Sequence, residues 1–237
     1  MGMKKSVFAV CACLIAGVVL AIGLCVQTLL RAQTVASDTG GELKILIDAG
    51  HGGIDGGVTG RKTGVKESDL NLAISLRMRD ELTDRGYATV LTRKTEAGLY
   101  DTTAKGFKRR DMQKRKAIVE AENPAFLVSV HQNFYPSKTT RGAQVFYEKG
   151  NEKSRAFALA LQNSLNALYE KQGVKARKAT GGDFFILKCT ENPSVIVECG
   201  FLSNAEDEAL LTTPAWQKKL AVAIADGLAD YLSAYVS

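Results

Sequence analysis

Both histidines of this 237-residue chain stand at the end of a predicted strand. His51 follows the apolar segment LKILIDA (43–49), and His131 ends the apolar segment FLVSVH (126–131). Two imidazoles and one carboxylate are the protein ligands of one class of catalytic zinc site, in which a further position stays open for water or substrate. The two histidines therefore predict a zinc site, provided that a carboxylate lies close to both.

Two glutamates are candidates for that carboxylate. Glu67 lies beyond the glycine-rich loop GHGGIDGGVTG (50–60). Its alternative interpretation is an acidic residue at the start of a helix, where the helix dipole favours a negative charge. Glu198 ends the otherwise apolar segment SVIVE (194–198), and a carboxylate there is costly to bury without a partner, which favours a functional role. Such a site needs one carboxylate as ligand and an unliganded one to accept a proton from water. No local zinc signature such as HExxH is present, so the spacing alone is weak support.

These side chains can meet only if the strands that carry them lie side by side. Apolar strands alternate with amphipathic helices along the chain, and the carboxyl ends of parallel strands share one edge of a sheet. The predicted fold is α/β: a single three-layer domain with a twisted, mostly parallel sheet of about six strands and helices on both faces. The predicted strands are 43–49, 87–92, 126–131, 142–147, 184–188 and 194–198. Four helices are predicted. The first starts at a Ser68 cap and stops at Gly86, the second and third cover about 107–122 and 151–169, and the last starts after a Thr213 cap.

The amino-terminal segment predicts export from the cytoplasm. Lys4 and Lys5 precede residues 7–26, which contain no charged side chain. We expect residues 1–36 to be a signal peptide or a membrane anchor plus a linker, and whether the segment is cleaved stays open. Three of the 31 basic residues and none of the 25 acidic ones lie in residues 1–31, so the net charge of +6 falls to +3 for the remainder. That balance excludes nucleic acid as an expected partner.

Two cysteines lie beyond that segment, Cys189 and Cys199. In an oxidising compartment they could form a disulfide, and two buried free thiols are the alternative. The sequence leaves both states open.

Five motifs in order carry a resemblance to a known family: ILIDAGHGG, KESDLNLAISLRMRDEL, LTR, FLVSVHQN and PSVIVECGFLSNAED. Together they resemble the zinc-dependent N-acetylmuramoyl-L-alanine amidases of the amidase-3 family, which are cell-wall hydrolases. The resemblance covers about residues 43–235, so residues 37–237 are expected to be an amidase-3 catalytic domain.

The resemblance implies roles for particular residues. His51, Glu67 and His131 would bind one Zn²⁺, and Glu198 would be the catalytic carboxylate. Asn133 would orient substrate or its own loop. Arg93 and Arg115 also match arginines common in the family, where they brace carboxylates or contact substrate.

The reaction implied is hydrolysis of the amide between N-acetylmuramic acid and L-alanine in peptidoglycan. The short build, with an amino-terminal signal or anchor, is most similar to the spore-cortex, germination-specific amidases, which remove stem peptides before muramic-lactam formation. A zinc carboxypeptidase acting on stem peptides and a non-catalytic wall-binding protein are the alternatives. Because no inhibitory insertion is visible, control by an accessory or activator protein is a further hypothesis.

A basic segment, KGFKRRDMQKRK (105–116), has two interpretations. It is either a solvated helix face or a surface that attracts anionic wall polymer or phospholipid headgroups. We expect contact with a membrane through the amino-terminal segment, if that segment is uncleaved, and an extracytoplasmic location for the catalytic domain.

Overall fold

Six strands form the central sheet of the protein. A computed structural model describes residues 43–235, and within them the strands are β1 (Lys44–Ala49), β2 (Ala88–Leu91), β3 (Phe126–Asn133), β4 (Gln144–Glu148), β5 (Thr180–Gly182) and β6 (Ser194–Phe201). They lie in the order β2-β1-β3-β6-β4-β5. Every neighbouring pair is parallel except β4 with β6, which is antiparallel. The prediction of a mostly parallel sheet of about six strands is confirmed.

The central strands are buried on both faces. In β1 the consecutive residues Ile45, Leu46 and Ile47 are all fully inaccessible to solvent. Because successive side chains of a strand point to opposite faces, this burial requires a covering layer on each side of the sheet.

Five α-helices and a short 3₁₀ helix supply those layers: α1 (Glu67–Asp84), α2 (Phe107–Glu122), α3 (Glu152–Glu170), α4 (Ala205–Leu211), α5 (Pro214–Tyr235) and the 3₁₀ helix Phe185–Lys188. Helices α1 and α3 pack against α5. On the other face, α2 and the 3₁₀ helix share an apolar cluster with Leu46, Leu127 and Ile196 of the sheet. The three-layer α/β architecture follows from this arrangement.

The predicted strand at 184–188 is wrong, because this segment contains the 3₁₀ helix, and the remaining strand of the sheet is instead β5. Ile186 and Leu187 are consecutive and both buried, whereas Phe184 and Phe185 are both exposed. A strand would alternate these environments, but a single helical turn places two neighbours on one side. A short apolar run carries no periodicity that separates the two possibilities.

Two helix starts differ from the prediction. Helix α1 begins at Glu67, with Lys66 as its cap residue and no side-chain cap, so Ser68 lies inside the first turn. Helix α4 was not predicted, although Asn204 accepts hydrogen bonds from the backbone of Glu206 and Asp207, which is an ordinary N-cap. The predicted Thr213 cap is present. The Thr213 carbonyl accepts hydrogen bonds from the amides of Trp216 and Gln217, and its hydroxyl oxygen also accepts from the Trp216 amide.

The predicted export segment, residues 1–36, lies outside the described residues. Among residues 43–235, no helix has the length and apolarity needed to cross a membrane. Cys189 and Cys199 are both buried free thiols, so the structure contains no disulfide between them.

Candidate metal centre and active site

The predicted site residues converge where β1, β3 and β6 end. His131 lies on β3 directly opposite Glu198 on β6, and β1 ends just before Gly50, whose amide donates to the Val130 carbonyl. Paired residues of neighbouring strands project to the same face of a sheet. His131 and Glu198 are therefore neighbours on one face, at the carboxyl edge of the sheet.

His51, Glu67 and His131 form a group that could bind a metal ion. One ligand atom from each lies within 4.8 Å of the others. The Glu67 Oε1 atom is 3.3 Å from His51 Nε2 and 2.9 Å from His131 Nδ1, and the two imidazole rings are 5.0 Å apart. Two imidazoles and a carboxylate converging on one point are a donor set that suits zinc.

The Glu67 carboxylate is held in place from several sides. Its Oε2 accepts from the Val58 amide at 2.9 Å, and its Oε1 accepts from the Gln132 amide at 3.1 Å and from Asn71 Nδ2 at 3.3 Å. Burial alone would raise the pKa of Glu67, but hydrogen bonds and charge from both histidines outweigh it and hold that pKa well below its usual range. Glu67 is therefore an anion fixed between two imidazoles.

His51 is oriented by a carboxylate on its far side. Its Nδ1 is 3.0 Å from Asp55 Oδ2, while Lys108 Nζ is 3.0 Å from the other oxygen of Asp55. Burial would lower the pKa of His51, yet hydrogen bonds to Glu67 and Asp55 raise it to about 9. A carboxylate on the outer nitrogen is the usual support of a metal-binding histidine, because it leaves the inner nitrogen to face the ion.

Glycines are required where the loop passes the site. A Cβ on Gly50 would lie 2.3 Å from the His131 ring, and one on Gly57 would lie 2.4 Å from Glu67 Oε2. Both distances are far shorter than van der Waals contact. The glycine-rich loop therefore lets the backbone approach the candidate ligands closely.

Glu198 presents an unsatisfied oxygen beside this group. Among the described residues, its buried Oε2 has no hydrogen-bond partner. Burial raises the pKa of Glu198 to about 7, with the negative charge of Glu67 adding to the effect and the two histidines opposing it. A carboxyl group that titrates near neutrality can both accept and return a proton.

The two arginines predicted as braces do occupy structural positions. Arg115 is buried, forms ion pairs with Asp48 and Asp111, and donates to the His51 carbonyl at 2.7 Å. Arg93 braces backbone carbonyls rather than carboxylates: those of Ala49, Gly50, Ser68 and Thr95. Both therefore fix the loop that carries His51.

The other predicted features have mixed outcomes. The Asn133 carbonyl accepts from the Leu202 amide at 2.9 Å, and a role for its side chain in substrate binding stays a prediction. The basic segment is not a uniformly solvated face, because Arg115 is buried, whereas Lys108 is exposed and pairs with Asp55. Asp55 and Asn71 were not predicted from the sequence, although an acid four residues after His51 and an amide one helical turn after Glu67 were signals for them.

Comparisons with known proteins identify related chains. The model of a family described as N-acetylmuramoyl-L-alanine amidase (Amidase_3) matches residues 45–230. The germination-specific N-acetylmuramoyl-L-alanine amidase of Bacillus subtilis (strain 168) is 32% identical over 192 residues, which are 80% of this chain and 79% of that protein.

Two solved structures are also similar. The CwlD amidase from Clostridioides difficile, solved in complex with the GerS lipoprotein, is 35% identical with a TM-score of 0.77, and the match covers 81% of this chain and 100% of that one. The catalytic domain of CwlV, an N-acetylmuramoyl-L-alanine amidase from Bacillus (Paenibacillus) polymyxa var. colistinus, is 30% identical with a TM-score of 0.68, covering 80% and 98%. Because the family model spans nearly the whole described domain, the chain belongs to the N-acetylmuramoyl-L-alanine amidases of the amidase-3 family and is an amidase that acts on peptidoglycan.

Proposed function

We propose that this amidase is zinc-dependent, with His51, Glu67 and His131 as ligands and Glu198 as the catalytic carboxylate. The observation that carries the proposal is the convergence of three ligand atoms within 4.8 Å, beside a buried carboxylate oxygen that has no partner among the described residues. Zinc bound there supplies a Lewis acid for the scissile carbonyl and lowers the pKa of a water molecule.

Glu198 is the proposed residue for both proton-transfer steps. Glu198 accepts the proton released when water attacks the amide carbon between the lactyl group of N-acetylmuramic acid and L-alanine. It returns that proton to the L-alanine nitrogen as the carbon–nitrogen bond breaks. The products are a muramic acid with a free lactyl carboxylate and a stem peptide with a free amino group. The raised pKa of Glu198, about 7, suits both halves of this transfer.

Mass spectrometry of muropeptide products tests the reaction and its metal. Purified protein incubated with peptidoglycan should release intact stem peptides, a chelator should stop the release, and added Zn²⁺ should restore it. Loss of only the last residue of the stem would instead indicate a carboxypeptidase. Stem-peptide release that persists in metal-free protein would contradict the zinc requirement.

We further propose that the substrate is spore-cortex peptidoglycan, as the step before muramic-lactam formation. Support comes from the similarity to a germination-specific amidase over most of both chains. Expression of this chain in a sporulating bacterium that lacks its own such amidase should restore muramic lactam to the cortex. Stem-peptide cleavage in peptidoglycan outside the cortex, with no muramic lactam in the cortex, would contradict the cortex role.

We also propose that an accessory protein activates this amidase. Support comes from the similar CwlD amidase, which was solved in complex with a lipoprotein. Purified chain should then hold little zinc or release stem peptides slowly until such a partner is added. A purified chain that is fully zinc-loaded and fully active by itself would contradict the need for an activator.

The location is proposed from the amino-terminal sequence and from the substrate. Residues 1–36 would export residues 37–237, the catalytic domain, and either stay as an anchor or be removed. Cell fractionation with mass measurement of the mature protein distinguishes an anchored from a cleaved form. Recovery of the intact chain in the cytoplasm would contradict export.

A further inference from the structure

Two exposed aromatic side chains follow the strand that carries His131. Phe134 and Tyr135 are 38% and 55% exposed, and they are among six large hydrophobic residues of the described chain with such exposure. Both residues directly follow the last residue of β3, Asn133, at the carboxyl edge of the sheet. That edge also carries His131 and Glu198 of the candidate active site.

The backbone under these rings is firmly held. The Tyr135 amide donates to Ser203 Oγ at 3.0 Å, the Leu202 amide donates to the Asn133 carbonyl at 2.9 Å, and Asn204 Nδ2 donates to the Lys138 carbonyl at 2.6 Å. Ser203 is itself buried. The turn after β6 thus fixes the segment after β3, and the rings are exposed on a well-supported loop.

Arg61 joins this surface from the loop between His51 and Glu67. Its guanidinium carbon lies 4.9 Å from the centre of the Phe134 ring, and its Nη2 donates to the Pro136 carbonyl at 3.4 Å. The Arg61 amide also donates to the Leu202 carbonyl. Within residues 43–235 Arg61 forms no ion pair, so most of its donors remain open to a ligand. The guanidinium covers one face of Phe134, which leaves Tyr135 as the more accessible ring.

We propose that Arg61, Phe134 and Tyr135, here called the aromatic ledge, bind the sugar rings that flank the muramoyl residue whose amide is cut. This inference rests on the function proposed above. A sugar ring has an apolar C–H face, which packs on an aromatic ring, and a polar edge that accepts hydrogen bonds from a planar guanidinium. In a glycan strand the flanking sugars are bonded directly to the muramoyl residue, so they must cross the rim beside the metal centre.

A comparison of two substrates tests the ledge. The first is polymeric peptidoglycan, and the second is an N-acetylmuramoyl-peptide without neighbouring sugars. For Tyr135→Ala we expect KM on the polymer to rise about tenfold or more with little change in kcat, because a buried ring contact is lost. KM on the small substrate should change less than about twofold. Tyr135→Trp, which keeps an aromatic plane, should restore the polymer KM.

Tyr87→Ala is the matched control, because this half-buried tyrosine precedes β2 at the opposite edge of the sheet. It should leave both KM values unchanged. A Tyr135→Ala variant with equal losses on the two substrates would mean that the ring contacts the muramoyl-peptide itself, and would overturn the proposal. Unchanged KM on the polymer would overturn it as well.

A binding measurement separates this inference from the proposed reaction. The full chain carrying Glu198→Gln is mixed with peptide-free glycan strands, and the bound fraction is measured by co-sedimentation. We expect retention that falls when Tyr135→Ala or Arg61→Ala is added and does not fall with Tyr87→Ala. Equal retention in all variants would reject the ledge even if the amidase reaction is established, whereas failure of stem-peptide release leaves this result intact.

Discussion

At the scale of single residues, Glu198 and Glu67 show how environment separates two carboxylates of one site. Glu67 lies between two imidazoles and accepts backbone hydrogen bonds, so it stays an anion. Glu198 lies across from His131 with one buried oxygen unpaired, and burial raises its pKa to about 7. The proposed ligand and the proposed proton acceptor are thus chemically distinct although both are glutamates.

Replacing Glu198 by glutamine removes the proposed proton acceptor while preserving the shape of the side chain. We expect stem-peptide release to fall about 10²- to 10⁴-fold, which is the usual contribution of a general base. Zinc content, measured by elemental analysis, should equal that of the unaltered protein because Glu198 is not a proposed ligand. Undiminished turnover would remove Glu198 from the mechanism.

Replacing His131 by alanine should lower the zinc content, which Glu198→Gln should leave unchanged. One of three proposed protein ligands is lost, so the purified variant should contain little zinc after dialysis. Glu198→Gln is the matched control, since it alters the neighbouring residue across the strand pair and leaves the ligands in place. Full zinc occupancy in His131→Ala would contradict the ligand assignment.

Asp55→Asn tests the orientation of His51. The amide cannot replace the negative charge 3.0 Å from His51 Nδ1, so zinc affinity should fall about 10- to 100-fold, as is typical when such an outer partner is lost. Competition with a chromogenic chelator measures the change. Asp80→Asn, on an exposed part of α1, is the control, and equal affinities in the two variants would contradict a role for Asp55.

At the scale of elements, short helix α4 anchors the loop that connects two proposed ligands. The buried Glu208 carboxylate accepts from the amides of Lys62 and Thr63 and from the Thr63 hydroxyl, at 2.7 to 3.0 Å. These bonds lower the pKa of Glu208 against the opposing effect of burial. The loop after His51 is therefore tied to an element more than a hundred residues away in the chain.

Glu208→Gln should weaken that tie. The variant loses charge-assisted bonds to backbone amides, so the free energy of unfolding should fall by about 1–3 kcal/mol in chemical denaturation. Glu206→Gln is the matched control, because the Glu206 carboxylate is exposed. This variant should lose less than about 0.5 kcal/mol of the free energy of unfolding. Equal stabilities of the two variants would show that the loop does not depend on Glu208.

At the scale of the whole molecule, Asp48 links three parts of the fold. Its carboxylate accepts from Thr92 and Ser129 at 2.7 and 2.6 Å and pairs with buried Arg115 of α2. Burial opposes ionisation, but the charge of Arg115 and the two hydroxyl bonds hold the pKa of Asp48 below its ordinary value. The layer containing α2 is thus joined to the sheet through one buried anion.

This coupling predicts an acid-sensitive fold. Because the folded pKa of Asp48 lies below the unfolded one, its contribution is complete above the unfolded value of about 3.9 and is lost as pH falls through the folded value. Thermal unfolding of metal-free protein should show Tm falling below about pH 4. Asp48→Asn should be less stable at pH 7 and should show a smaller fall with acid, and parallel losses in both proteins would contradict the role of Asp48.

The α/β class and most strand positions could be predicted from the sequence, and so could the meeting of His51, Glu67, His131 and Glu198 at one edge of the sheet. Continuous apolar runs require a sheet covered on both faces, and such a sheet gathers the ends of its parallel strands at one edge. The scarcity of histidine and the carboxylate ending an apolar strand indicated metal chemistry from residue type and periodicity alone. Which glutamate is the ligand and which accepts the proton was implied only by the resemblance to the amidase-3 family.

Other features were decided only by tertiary structure. Residues 185–188 form a 3₁₀ helix because Ile186 and Leu187 both belong to the apolar cluster under α2, a contact that no local periodicity encodes. Supports of the site also come from distant segments: the Gln132 amide fixes Glu67, and Glu208 fixes the loop after His51. A carboxylate's pKa and orientation depend on what the fold brings within a few ångströms of it, and sequence spacing does not carry that information.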